Sequence, residues 1–264
     1  MRVRMLCSSF SRLGVVLPAL VSVISWQAPA QDKAPTREWS YVSIYKIKPE
    51  RRADFEAIQK EVSAAYKQAG VPFRVVWQTT FGDINEYVSV APLANFAAMD
   101  AASPVVKALG ADKSADLLRR SAATVNGVTR VATINRVDLS TGAGPSGPPA
   151  YAVIMLTHVA PGRNLEYEAW LKSKYVPAFK KGGGDYFVEQ AIFGGGPDLY
   201  VAASPVANMA TIDAGPPTWK SVGVAGAAKM QAEMAGIITS TELSISRFRA
   251  ELSYFAAPPA APGK

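Results

Sequence analysis

The sequence predicts an α+β protein built from two tandem βαββαβ halves, packed sheet to sheet as an intrachain pseudo-dimer. Three observations carry the prediction: an internal repeat, a Gly/Pro-rich joint between the two copies, and one shared order of strand-like and helix-like segments. With 264 residues, 49% of them hydrophobic, the chain is long enough to bury a sizeable core.

The repeat shows when residue 48 onward is laid against residue 160 onward. Pro49, Arg51, Glu56 and Ala57 meet Pro161, Arg163, Glu168 and Ala169, and Gln78, Phe81 and Gly82 meet Gln190, Phe193 and Gly194. One residue is then inserted in the second copy. Beyond it Val88, Pro92, Asn95, Asp100, Pro104, Lys107 and Gly110 meet Val201, Pro205, Asn208, Asp213, Pro217, Lys220 and Gly223. The copies close alike, "RVDLST" (136–141) against "RAELSY" (249–254). A single indel over this length indicates duplication.

Taken in chain order, residues 1–30 read as a signal peptide. A basic "MRVR" precedes the apolar "LGVVLPALVSVISW", and "APA" (28–30) has the small-x-small form of a cleavage site. Residues 40–140 form the first repeat. "YVSIYKI" is a first strand, Pro49 suits a helix start, and Phe55, Ile58, Val62 and Tyr66 keep helical spacing. "FRVVWQTTF" and "EYVSVA" are the second and third strands, Asn95 is an N-cap, and "VTRVATINRVDL" closes the copy. "TGAGPSGPP" (141–149) is a linker. The second repeat, 150–253, has "YAVIMLTHV", a helix after Pro161 lined by Tyr167, Trp170, Leu171 and Phe179, then "YFVEQAIF", "LYVAAS" and "TELSISRFRAEL". Pro177 should kink or end its first helix, and Asn208 is the matching N-cap. Residues 254–264 read as a flexible tail. Strand-helix-strand-strand-helix-strand is the split-βαβ, or ferredoxin-like, motif. One such sheet carries helices on one face only, so each copy serves to cover the other.

Composition excludes several functions. The net charge of +7 includes three leader arginines, and the mature chain keeps 25 basic against 21 acidic residues. No basic patch with interleaved aromatics points to nucleic acid. The predicted address is export, periplasmic or secreted, with no membrane attachment after cleavage. Cys7, the only cysteine, lies in the leader, so thiol catalysis and cysteine-held metals are excluded from the mature protein. One histidine cannot make a multi-histidine metal site within one chain. No P-loop or GxSxG motif occurs and no cofactor is expected; haem with His158 as axial ligand would lack a supporting second residue.

The duplicated split-βαβ pattern resembles the dimeric α/β-barrel superfamily, in particular its antibiotic-biosynthesis-monooxygenase-like and NIPSNAP-like branches, here as a fused pair. The resemblance covers nearly all of the mature chain, through topology and not through a catalytic motif. It implies a small-molecule pocket between sheet and helices and a chemistry such as cofactor-independent oxygenation or isomerisation. A non-catalytic binding or structural role stands as the alternative.

Agreement between the copies points to structure, and Arg136/Arg249 with Asp138/Glu251 is expected to make surface or inter-half ion pairs. Divergence points to specialisation. His158 stands where the first copy has Lys46, and Glu189, among apolar neighbours, stands where it has Trp77. Burial would raise the proton affinity of Glu189 and suit it to acid–base work. Tyr200, on the strand between, completes the candidate catalytic set, with all three side chains expected on one face of the sheet and Trp170 covering them. Trp77 and Tyr87 are further candidate ligand contacts. A rim histidine, a Glu189–lysine pair and aromatics filling a core are the structural alternatives.

Overall fold

The computed structural model describes residues 38–142 and 149–256, so the expected signal peptide, most of the expected linker and the end of the expected tail lie outside the described residues. In the first half, β1 (Trp39–Ile47) leads through a short 3-10 turn beginning at Pro49 into α1 (Arg52–Gln68). A hairpin of β2 (Phe73–Phe81) and β3 (Glu86–Leu93) follows, then α2 (Pro104–Leu109), α3 (Ala111–Thr124) and β4 (Val125–Asn135). The second half repeats the order with β5 (Tyr151–Val159), α4 (Asn164–Trp170), α5 (Val176–Lys181), β6 (Phe187–Phe193), β7 (Leu199–Val206), α6 (Ala210–Asp213), α7 (Pro217–Ala232) and β8 (Ile238–Phe248).

Local chemistry explains these boundaries. Pro161 sits in the turn ahead of α4 instead of opening the helix. Pro177 lacks an N–H, and the chain takes a π turn at Leu171–Tyr175 before continuing as α5, so the helix is locally rewound and not ended. The side chains of Asn95 and Asn208 accept hydrogen bonds from the N–H groups of Ala98 (3.0 Å) and Thr211 (3.1 Å). Gly110, with φ +80°, separates α2 from α3, and Gly223, with φ +73°, makes the equivalent break inside α7.

Each half has the strand order 2-3-1-4, all antiparallel. The halves do more than face each other. β4 pairs with β6 and β8 pairs with β2, closing an eight-stranded barrel with helices outside. Face packing alone would leave four exposed strand edges, and closure satisfies their backbone groups. The two seams have the same register. Asn135↔Glu189, Ile134↔Gln190, Thr133↔Ala191 and Ala132↔Phe193 in one match Phe248↔Trp77, Arg247↔Gln78, Ser246↔Thr79 and Ile245↔Phe81 in the other, including the bulge. The barrel is therefore pseudo-twofold symmetric, and its interior is plugged by Val42, Val131, Ala191 and Leu199 with Ile44, Val88, Val90, Leu156 and Val201.

The repeated "R-x-D/E-L-S" closings cross between halves. Leu139, after β4, is fully buried in the helix–sheet core of the second half, and Leu252, after β8, in that of the first. Arg136 donates to Glu168 (2.6 and 2.7 Å) and Gln190 (2.8 Å); Arg249 donates to Glu56 (2.7 Å) and Gln78 (2.5 Å). Ser140 and Ser253 hydroxyls accept from the N–H of Val188 and Val76. The expected inter-half ion pairs are present, as a swapped pair of clasps. Tyr254–Phe255, expected in the tail, instead forms β9 on the edge of β2. Among the described residues no helix is long and apolar enough to cross a membrane.

Candidate functional site

Strand register decides which candidates meet. Tyr200 pairs laterally with Thr157 and Gln190, whereas His158 pairs with Leu199 and Glu189 with Val201. Side chains alternate along a strand, so His158 and Glu189 share the barrel-interior face and Tyr200 points to the helix side. The expectation that all three share one face is corrected by this single residue of register. Tyr200 is buried at 1% exposure; it donates to Glu168 (2.7 Å) and accepts from Gln190 and Asn164 (both 3.2 Å). Tyr87 holds the equivalent place, donating to Glu56 (2.5 Å) and accepting from Arg249 (3.0 Å). Both tyrosines belong to the inter-half clasps, and burial raises their pKa values. Trp170 also lies on the helix side, stacked on Tyr167 and Tyr175 and donating to Glu233 (3.2 Å), away from Glu189.

His158 faces the interior at the far rim. Its Nδ1 lies 3.4 Å from Asp198, and its ring is about one-third exposed (37%). Lys46, its counterpart, pairs with Asp83 and Glu86 at the matching rim. Leu199 of the interior plug pairs with His158, and Val201, two residues further along the same strand, pairs with Leu156 and Glu189, so the two titratable side chains lie on non-adjacent strands and at different levels.

Glu189 opens into a cavity of about 1400 Å³ at the other end of the barrel. The cavity straddles the pseudo-twofold axis, and equivalent positions face each other in it: Trp77 and Glu189, Val75 and Phe187, Val90 and Ala203, Pro92 and Pro205, Phe248 and Asn135. One side is aromatic, with Trp77 edge-on to Phe248 at 5.4 Å. The other is polar: Glu189 accepts hydrogen bonds from Thr133 Oγ1 (2.5 Å) and Ser40 Oγ (3.4 Å), and Asn135 donates to Glu38 (3.1 Å). Burial drives the pKa of Glu189 upward, and the two hydroxyl donors only partly oppose it. A carboxyl group so placed holds a proton more readily than a solvated glutamate.

The cavity continues past Trp39 and Leu93 to the helix side of the first half, along Tyr41, Tyr66 and Met99. The matching space in the second half is filled by Tyr167, Tyr175, Phe179 and Tyr186. A pocket between sheet and helices was expected in the second half; the space is in the first. Of the sequence candidates, Trp77 and Glu189 come together. Phe248, Phe187, Ser40 and Thr133 were missed, although the divergence of Phe248 from Asn135 at paired seam positions was readable once the register was known.

The closed barrel of two split-βαβ halves, helices outside, has the dimeric α/β-barrel fold, both halves within one chain. Comparison with solved structures gives the same result. An anthrone oxidase-like protein superposes with a TM-score of 0.57 at 11% identity, over 86% of this chain and 97% of that one. A Lactobacillus acidophilus protein provisionally assigned as a monooxygenase gives 0.54 at 10% identity, over 83% and 96%. A protein provisionally assigned as a chlorite dismutase gives 0.51 at 11% identity, over 82% and 96%. No protein-family model and no curated protein matches the sequence. Likeness at this level of identity establishes the fold and leaves the chemistry to the site.

Proposed function

We propose that this protein binds a small, largely apolar molecule at the open end of its barrel, with Glu189 as the polar group that orients it. The observation behind this reading is the cavity itself: aromatic and aliphatic walls, and a carboxylate of raised proton affinity at the position the pseudo-twofold relates to Trp77. The chemistry available there is proton transfer by a single group. Glu189 would take a proton from an acidified C–H or O–H of the ligand and return it at another atom, an isomerase-type step that balances without a cofactor. A cofactor-independent oxygenase would use the same deprotonation, with dioxygen as the oxidant. The oxidase-like and monooxygenase-assigned structural neighbours make that class worth assaying. A non-catalytic binding protein is the second reading. It is favoured by the placement of His158 and Tyr200 outside the cavity, where neither supplies Glu189 with an acid–base partner.

We also infer export, from the basic, apolar and small-x-small order of residues 1–30. N-terminal sequencing of the exported chain is expected to begin at Gln31; a chain beginning at Met1 contradicts export with cleavage. For the site, native mass spectrometry of protein purified from the periplasm is expected to show a retained small molecule that Glu189→Gln and Trp77→Ala lose. Equal retention by both variants would remove the cavity as the ligand site.

A further inference from the structure

We propose that the barrel mouth is a receptor for an organic cation, a quaternary or tertiary ammonium joined to an apolar body, with Glu189 as counter-ion and the rings around Trp77 as the cage. This rests on reading the mouth as a ligand site and names what that site prefers.

Three features of the cavity carry the inference. Among the described residues Glu189 makes no ion pair; its oxygens are met only by the Thr133 and Ser40 hydroxyls. A carboxylate placed among apolar walls without a cation is unfavourable, and a ligand that brings the positive charge relieves this. A neutral ligand would exclude the remaining water and leave the charge unmet.

The second feature is the aromatic lining, Trp77 and Phe248 together on one side and Phe187 on the strand that carries Glu189. Trp77, Phe187 and Phe248 all project from interior-facing positions of β2, β6 and β8, and Trp77 occupies the position related to Glu189 by the pseudo-twofold. One slot of the repeat thus supplies a ring from one half and a carboxylate from the other. Ring faces carry negative quadrupole potential, and they favour a weakly hydrated cation over a neutral group of the same shape.

The third feature is the distribution of charge. The other charged residues lining the cavity are Glu38, at the mouth beside Asn135, and Lys107, on α2 at the far helix-side end. The mouth is therefore acidic in a chain whose overall charge is +7. An anionic ligand would meet Glu189 and Glu38 together.

The test is calorimetric titration of the mature protein at pH 7.5 with benzyltrimethylammonium, its neutral isostere neopentylbenzene, and phenylacetate. The cation is expected to bind about tenfold or more tightly than the isostere, with phenylacetate weakest. Glu189→Gln should bring cation and isostere to similar affinity, while Glu189→Asp, which keeps the charge, should retain most of the preference. Cation affinity should fall as pH is lowered through the titration of Glu189. Thermal melts of both variants verify folding. If the isostere binds as tightly as the cation in the parent protein, the cation proposal is overturned and the mouth stands as a ligand site. If no probe binds, or Trp77→Ala and Glu189→Gln alter none of the affinities, the reading of the mouth as a site is overturned with it.

Discussion

Glu189 and Trp77 occupy the same place in two copies of one sequence, and the mouth owes its chemistry to that difference. The carboxyl costs stability. Its pKa in the fold lies above the usual 4.5, so the folded state holds the proton more tightly than the unfolded chain does. The penalty is absent below about pH 4.5, grows as pH rises toward the folded value, and is complete above it. Glu189→Gln is therefore expected to melt at or above the parent temperature near pH 7, with the difference shrinking toward pH 4. A variant less stable than the parent at neutral pH, and no less so at pH 4, would contradict the assignment. This residue was legible in the sequence, because an acid among apolar alternates is conspicuous. Its partner was misread. Tyr200 lies one position out of step with His158 and Glu189, and a one-residue slip reverses the face. Its match to Tyr87 across the repeat was the available signal that it serves structure.

Among the elements, the closing segments clasp each half to the other beyond the two strand seams. "RVDLST" and "RAELSY" are alike because each performs the same crossing, its arginine to a glutamate on the opposite half's first helix and its leucine into that half's core. Leu139→Ala and Leu252→Ala, at fully buried positions, should each cost about 2–5 kcal/mol in denaturant unfolding. Arg136→Met should cost on the order of 2–3 kcal/mol, because it strands a partly buried Glu168. Glu168 and Glu56 are held below the usual carboxylate range, first by their arginines. Their contribution is thus complete above about pH 4.5 and lost as pH falls through the lower folded values. Arg136→Met should accordingly show a smaller loss of stability on acidification than the parent protein. An unchanged acid profile would mean the clasp contributes little. The strand and helix order was readable from period and turn residues, but the crossing was not, because an ion pair has no sequence spacing when its partners belong to different halves.

For the whole molecule, the duplication predicts that the covalent link is dispensable once folding is complete. A protease site placed within residues 143–148 should, after cleavage, leave two fragments that migrate together through gel filtration and separate only in denaturant. Dissociation on cleavage would show that the seams and clasps are weaker than the structure implies. Duplication could be read from the aligned positions, and with it the need for each sheet to be covered. Closure into a barrel could not, since seam register depends on which edges meet. Nor could the location of the cavity: the second half's helix–sheet space is filled by tyrosines at positions where the first half has smaller or differently placed groups, such as Tyr175 for Ser63.

The claim that the barrel mouth is the working site is tested most directly by carbon-detected NMR of the Glu189 carboxyl, with the Trp77 indole N–H followed in the same sample. Glu189 is expected to titrate above the usual carboxylate range in the free protein. On addition of benzyltrimethylammonium its pKa should fall, with a concerted shift of the Trp77 resonance and none at His158. A Glu189 that titrates as a solvated carboxyl, with Trp77 unmoved by the ligand, would contradict the account.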